Sequence, residues 1–259
     1  MSGIIQVTRD GAVATITLNR PERMNALDLG AWEDLGKVMD TLSADDDLRC
    51  VVMRGAGDKA FSAGADIEEF PERRLNSAQA EAYGKITHRT MRAIAECRHP
   101  TIAVIKGACV GGGLELASVC DLRVCTASSK FGVPIKRLGL VLSYGELAGL
   151  IALTGTAVAM EMLLEGRVFG AQEALDKRLV NRVIDDAEFD GEVDAILRRI
   201  STGAPLVARW HKKFARRLAQ NTPLSEEEQR EAFACFDTED FRIGYQAFLN
   251  KATPEFTGR

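Results

Sequence analysis

Gly111-Gly112-Gly113-Leu114-Glu115-Leu116-Ala117 follows an apolar run and places three glycines where a strand should end and a helix begin. Far upstream, Phe61-Ser62-Ala63-Gly64-Ala65-Asp66 also follows an apolar run and is built of similarly small residues. At such junctions the first backbone N–H groups have no helical carbonyl to bond. Two of these donors aimed at one point bind an oxyanion. Glu115 lies three residues after Gly112, so on a helix both face the same side. An oxyanion site beside a carboxylate is the minimum equipment for proton chemistry next to a carbonyl, and the pattern predicts that the two segments meet.

The flanking sequence predicts an α/β core. Residues 4–7 and 13–18, joined through Asp10-Gly11, form a β-hairpin, because Asp-Gly suits the positive φ of a tight turn. Asn19-Arg20-Pro21 ends that strand. Asp28 caps a helix running to residue 42, and Ser77 caps a longer one to residue 97, closed by His99-Pro100. Short buried strands are expected at 48–53, 101–106, 122–125 and 180–184, and helices at 145–153, 157–164 and 171–176. This β-then-α rhythm implies parallel pairing. From residue 186 the pattern turns helical, punctuated by Pro205, Pro223 and Thr238. Its apolar residues Phe233, Phe236, Phe241, Tyr245 and Phe248 are more than a small appendage hides, so they should pack on the core or on another subunit.

The chain has 259 residues, 46% hydrophobic and 27% charged, with a formal net charge of -4. That suits one large domain or a domain with an appendage, and carries no general nucleic-acid footprint. Lys212, Lys213, Arg216 and Arg217 read as a solvated helix face. No basic-then-apolar leader pattern opens the chain, and no apolar run is expected to reach membrane-spanning length. Cys50, Cys97, Cys109, Cys120, Cys125 and Cys235 form no C-x-x-C pair and read as buried free thiols of a cytoplasmic protein.

Other chemistries fit poorly. Gly55-x-Gly57-x-x-Ala60 follows a strand, but no long helix opens after it and no acidic residue ends a second strand about 20 residues on. His88, His99 and His211 share no ligand spacing and read as surface or helix-end residues, so no metal is expected. Ser62, Ser118 and Ser143 lie in no G-x-S-x-G elbow. Glu115 differs, because its apolar surroundings make an unpaired carboxylate costly to bury. Its plain structural alternative is bonding to backbone donors at the helix N-terminus.

These motifs together resemble the crotonase, or enoyl-CoA hydratase/isomerase, superfamily almost from end to end. Asn19-Arg20-Pro21-Glu22-Arg23-Met24-Asn25-Ala26-Leu27 is similar to its N-R-P-x-x-x-N-A-L segment, and 61–67 to its F-x-A-G-A-D-I loop. Residues 106–121 resemble its second signature, Phe131-Gly132-x-Pro134 follows at the family distance, and 248–256 resemble its C-terminal tail. The resemblance implies a crotonase-like ββα spiral core over 1–196 and a helical C-terminal trimerisation region over 197–259, assembled as a homotrimer or a dimer of trimers. It implies an acyl-CoA substrate, coenzyme A entering as part of that substrate and no separate cofactor. By the same match Ala65 and Gly112 supply the oxyanion-hole amides, and Glu115 is the acid/base. Arg23, Met24, Ala26, Ala63, Asp66 and Ile67 fall where the family holds CoA, with Phe248 and Lys251 contacting its nucleotide, often from a neighbouring subunit.

One departure matters. Hydratases of this family carry a second glutamate directly after Phe-Gly-x-Pro, and here that position is Ile135, preceded at the x by Val133. Three readings follow: Glu115 acting alone in hydration, isomerisation or epimerisation; decarboxylation of a malonyl-type CoA, with an apolar wall of Val133, Ile135 and Leu142 and with Tyr144 as a candidate proton donor or orienting group; or a non-catalytic acyl-CoA- or RNA-binding module. Intact oxyanion motifs favour an enzyme. Ile135, Ser143 and Tyr144 are expected at the pocket, and Glu146 is a candidate replacement carboxylate or a simple helix-start residue. The loop 68–79 should shape the acyl pocket, its Arg73 and Arg74 either meeting an acidic acyl chain or solvated.

Overall fold

The computed structural model describes residues 3–259. Strands β1 (Ile5–Asp10), β2 (Val13–Leu18), β3 (Cys50–Gly55), β5 (Thr101–Ile105), β7 (Leu122–Thr126) and β10 (Arg182–Ile184) form a six-stranded sheet in the order β1-β2-β3-β5-β7-β10. β1 and β2 are the expected antiparallel hairpin, and every later neighbour in this sheet is parallel. A second sheet, in the order β4-β6-β8-β9, contains β4 (Ala60–Ser62), β6 (Ala108–Val110), β8 (Lys130–Gly132) and β9 (Phe169–Gly170).

The chain winds between the two sheets. β3 in the large sheet leads to β4 in the small one, β5 to β6, and β7 to β8, each pair followed by helix. The helices are α1 (Leu29–Ala44), α2 (Phe70–Arg73), α3 (Ser77–Glu96), α4 (Gly112–Val119), α5 (Tyr144–Glu165) and α6 (Ala171–Asp176) in the spiral. Then come α7 (Phe189–Ser201), α8 (Pro205–Leu218), α9 (Glu226–Glu231) and α10 (Glu239–Leu249). The expected division at 196/197 falls inside α7, whose Val193, Ile196, Leu197 and Ile200 all pack against one face of the large sheet with Val52, Ile102 and Val124.

Local rules explain most boundaries. Asp28 caps α1 by accepting from Ala31 N at 2.7 Å. The cap of α3 is Asn76, not Ser77: its side chain accepts from Gln79 N at 3.0 Å, while Ser77 already has helical geometry. Gly55 ends β3 where a Cβ would lie 2.2 Å from the Ala60 carbonyl, so this glycine serves a close strand crossing and opens no helix. Five of the six cysteines are buried and all six are unpaired.

The expectation that no apolar segment reaches membrane-spanning length needs correcting. α5 has 22 residues, and its most apolar 18-residue stretch has a mean hydropathy of 1.8, enough to cross a bilayer by length and composition. The helix is broken at Gly155, however, whose φ of 77° and ψ of 163° are not helical. Neither half approaches the roughly 20 residues a span requires, and the two halves match the two helices expected around 154–156.

α4 is the buried centre of the spiral. It packs against α3, α5 and β6, and Leu114, Leu116 and Ala117 are fully enclosed. Burying each large side chain of this kind stabilises by ~1.5–3 kcal/mol. Its C-terminal end is held by Arg123, itself buried, which donates to the carbonyls of Ala117 and Cys120 at 3.2 and 2.6 Å and to Leu179 O at 2.9 Å. A cation on the last carbonyls of a helix complements its dipole, so α4 is fixed at the end away from its glycines.

Candidate active site

The two remote segments do meet. A Cβ on Gly64 would lie 2.5 Å from the amide nitrogen of Gly112, and one on Gly112 would lie 3.3 Å from that of Ala65. Gly64 has a φ of +92°, which only glycine adopts without strain. The amides of Ala65 and Gly112 donate to no acceptor among the described residues, while their neighbours are engaged: Asp66 N bonds Leu27 O at 2.9 Å and Gly111 N bonds Gly132 O at 2.9 Å.

The 20–27 segment holds the first loop in place. Asn25 Nδ2 donates to Ala56 O and Ala60 O at 3.1 and 2.7 Å, and its Oδ1 accepts from Arg20 N at 3.0 Å. Ser62 Oγ donates to Asn25 O at 2.8 Å and accepts from Gly64 N at 3.0 Å. Ala63 N bonds Met24 O, and Leu27 N bonds Gly64 O. The loop therefore presents Ala65 N–H from a rigid backbone.

Beside these amides opens a cavity of about 290 Å³. It is at the lower end of ordinary ligand pockets and suits an acyl group rather than a whole nucleotide. Ala63, Ala65, Ile67, Gly112, Glu115 and Ile135 line it, as expected from sequence. Leu142 joins them, but Val133 is fully buried in the core behind. Glu115 is 8% exposed, and its carboxyl accepts no hydrogen bond from the described residues, which removes the backbone-capping alternative. Burial pushes it up to about 8, with Glu146 adding to the rise and Arg74 opposing it.

Glu146 lines the same cavity. Its Oε2 accepts from both the amide and the hydroxyl of Ser143, at 2.6 and 2.7 Å, and Ser143 Oγ is 2.6 Å from His88 Nε2. Ser143 is thus the cap of α5 and lies behind the pocket wall, holding Glu146. His88, expected at a surface or helix end, sits within α3 and touches that cap. His99 lies just past the end of α3 but is fully buried, and its burial pushes the imidazole down to about 4.

Several expected contacts lie elsewhere. Tyr144 is 95% exposed and outside the cavity lining, because the Ser143 cap turns the next side chain outward; it is no proton donor to this cavity. Asp66 is paired with Arg20 at 2.7 Å and accepts from Glu68 N, a role in shaping the loop. Arg23 pairs with Glu68. Met24, Ala26, Phe248 and Lys251 are also outside the lining. Phe70 and Arg74, from the loop 68–79, line the cavity, and so do Trp32, Tyr83 and Thr87, which the sequence does not single out. Trp32 sits on the apolar stripe of α1, where periodicity alone reads it as core.

The family model described as enoyl-CoA hydratase/isomerase matches residues 8–259. The chain belongs to the enoyl-CoA hydratase/isomerase family. It is 32% identical to a short-chain-enoyl-CoA hydratase of Clostridium acetobutylicum, over 94% of this chain and 93% of that protein. It is also 32% identical to a crotonyl-CoA hydratase of Syntrophomonas wolfei, over 98% of each. Among solved structures, an enoyl-CoA hydratase/carnithine racemase from Magnetospirillum magneticum is 49% identical with a TM-score of 0.98, covering 100% of this chain and 97% of that one. As a member of the enoyl-CoA hydratase/isomerase family this chain is an enzyme with a crotonase fold, processing acyl-CoA.

Proposed function

We propose that this enzyme adds water to a 2-enoyl-CoA, using Glu115 and Glu146 as its two carboxylates. The carrying observation is that both line one cavity beside the free amides of Ala65 and Gly112. In this reading Ile135 does not cost the enzyme its second carboxylate, because α5 supplies one from a different position.

The thioester carbonyl accepts from Ala65 N–H and Gly112 N–H. Glu146 Oε1, which has no partner among the described residues, takes a proton from water as the water oxygen bonds to C3. The C2–C3 π electrons move into the thioester, and the amides stabilise the resulting enolate oxygen. Two rigid donors suit this charge, one such donor being worth ~3–4 kcal/mol of barrier. Glu115, held protonated at neutral pH by burial, then delivers its proton to C2 as the enolate collapses. Proton exchange with solvent resets the pair.

Glu146→Gln tests this reading against crotonyl-CoA. Loss of hydration by about a hundredfold or more, with substrate binding retained, supports it. Unchanged hydration would make Glu146 a helix cap only and return the chemistry to Glu115 alone.

The C-terminal helices complete the reading as a subunit contact. Phe248 and Leu249 stand exposed on α10 and Phe233 and Phe236 in the turn before it, Phe248 at 85%. We assign this face to a homotrimer, alone or doubled, in which Phe248 and Lys251 reach the CoA held by a neighbour. Phe236→Asp should lower the molar mass in light scattering; an unchanged mass sinks the assignment.

A further inference from the structure

One wall of the catalytic cavity is formed by Trp32, Tyr83 and Arg74, and it carries a cation that no carboxylate of the described residues pairs. Trp32 Nε1, Tyr83 Oη and Arg74 Nε are buried and have no hydrogen-bond partner among the described residues, and all three residues line the cavity. Trp32 and Tyr83 are 1% and 3% exposed. Burial pushes the Tyr83 phenol up and Glu69 adds to the rise, while Arg74 and the neighbouring Trp32 indole N–H oppose it.

Arg74 is the charged member. Its guanidinium carbon lies 4.7 Å from the Phe70 ring centroid and 4.9 Å from that of Tyr83, so two aromatic faces flank it. It forms no ion pair with the described residues. The carboxylates nearby are otherwise engaged. Glu69 accepts from Leu29 N at 2.8 Å, Asp28 caps α1, and Glu146 is held by Ser143. Glu115 is kept largely protonated by its burial. Arg137 also lines the cavity but is solvent-exposed. Arg74 is therefore a cation in an aromatic setting, next to a phenol donor, within reach of an acyl chain.

We infer that this wall binds a carboxylate at the far end of the acyl chain, so that the enzyme's substrates are CoA thioesters of dicarboxylic acids. A guanidinium offers paired N–H donors that match a carboxylate, and the Phe70 and Tyr83 rings flank it. The inference rests on the proposed placement of the acyl group in this cavity.

Calorimetric titration with unreactive saturated thioesters tests it. Succinyl-, glutaryl- and adipyl-CoA are each compared with butyryl-, valeryl- and hexanoyl-CoA, and 4-oxopentanoyl-CoA serves as a neutral acceptor. At least one diacid ester should bind about tenfold or more tighter than its neutral partner. Arg74→Gln should erase that preference while leaving valeryl-CoA affinity intact, which also shows that the variant is folded. Equal binding of charged and neutral esters, a preference for the oxo ester, or a preference surviving in Arg74→Gln overturns the inference alone. Failure of every CoA ester to bind overturns the acyl-CoA placement beneath it as well.

Discussion

Gly64 and Gly112 touch backbone to backbone, with no room for a side chain on Gly64: a Cβ there would sit 2.5 Å from Gly112 N. Residues nearly fifty positions apart are thereby locked so that the next amide of one loop and the first amide of α4 open on the same cavity. The contact leaves somewhat more room on the other partner, since a Cβ on Gly112 would meet Gly64 Cα at 3.2 Å and Ala65 N and Trp32 Cζ2 at 3.3 Å.

The two glycines should therefore respond differently to alanine. Gly112→Ala is expected to fold, because neighbours need yield by only a few tenths of an ångström, while crowding the space before the Ala65 amide. Turnover should fall by about a hundredfold or more with a nearly unchanged melting temperature. Gly64→Ala adds a forbidden φ to a hard clash and should lose stability as well. Crotonyl-CoA hydration and thermal unfolding, measured together, separate the two. Full turnover in Gly112→Ala would show that its amide is not part of the catalytic apparatus.

Asn25 fixes the first loop and adopts a φ of 56° itself. It is 1% exposed, and its amide group closes three hydrogen bonds to Arg20, Ala56 and Ala60. Asn25→Ala leaves those groups unpaired and should cost roughly 2–4 kcal/mol in urea unfolding. The same variant should slow turnover, because Ala63 and Gly64 are bonded to this segment. A loss of stability with full activity would mean that the loop keeps its shape without Asn25.

These two loops were legible in sequence because their chemistry is local. A glycine run that exposes amides, an Asp-Gly turn and an N-cap Asp all act within a few residues of themselves. The break at Gly155 showed as a gap between two helical patterns for the same reason. What sequence hid was produced by packing between distant elements. Trp32 and Tyr83 carry the periodicity of core residues, and only the meeting of α1 with α3 places both at the cavity wall. His88 meets Ser143 across 55 positions, and no spacing rule predicts that pair. Tyr144 lies two positions from both Leu142 and Glu146, which line the cavity, but a helix start rotates successive side chains by about 100°.

Glu115 should leave a signature in stability against pH. Its folded-state value of about 8 lies above the ordinary 4.5, so between these limits the native state binds more protons than the unfolded chain. Stability from this group therefore falls as pH rises from about 4.5 to about 8, and is level above. Glu115→Gln removes that slope. The variant should be more stable than the parent at pH 8, by on the order of a few kcal/mol, and should show little difference at pH 4.5, while losing hydration. Parallel urea curves for parent and variant across that range would contradict the buried, protonated state assigned to Glu115.

Ser143 and His88 do not themselves line the cavity, yet Ser143 sets where Glu146 points and His88 holds Ser143. Ser143→Ala keeps the backbone amide bond to Glu146 and removes the hydroxyl bond, along with the contact to His88. With one of two holds gone, Glu146 samples other rotamers, and kcat should fall about tenfold with KM little changed. His88→Asn is the milder variant: if its side chain can still reach Ser143 Oγ, most of the rate returns. A merely structural role would instead lower the melting temperature of both variants and leave kcat per folded enzyme unaltered. The split between kcat and KM, read alongside thermal unfolding, decides between a positioning chain and a helix cap.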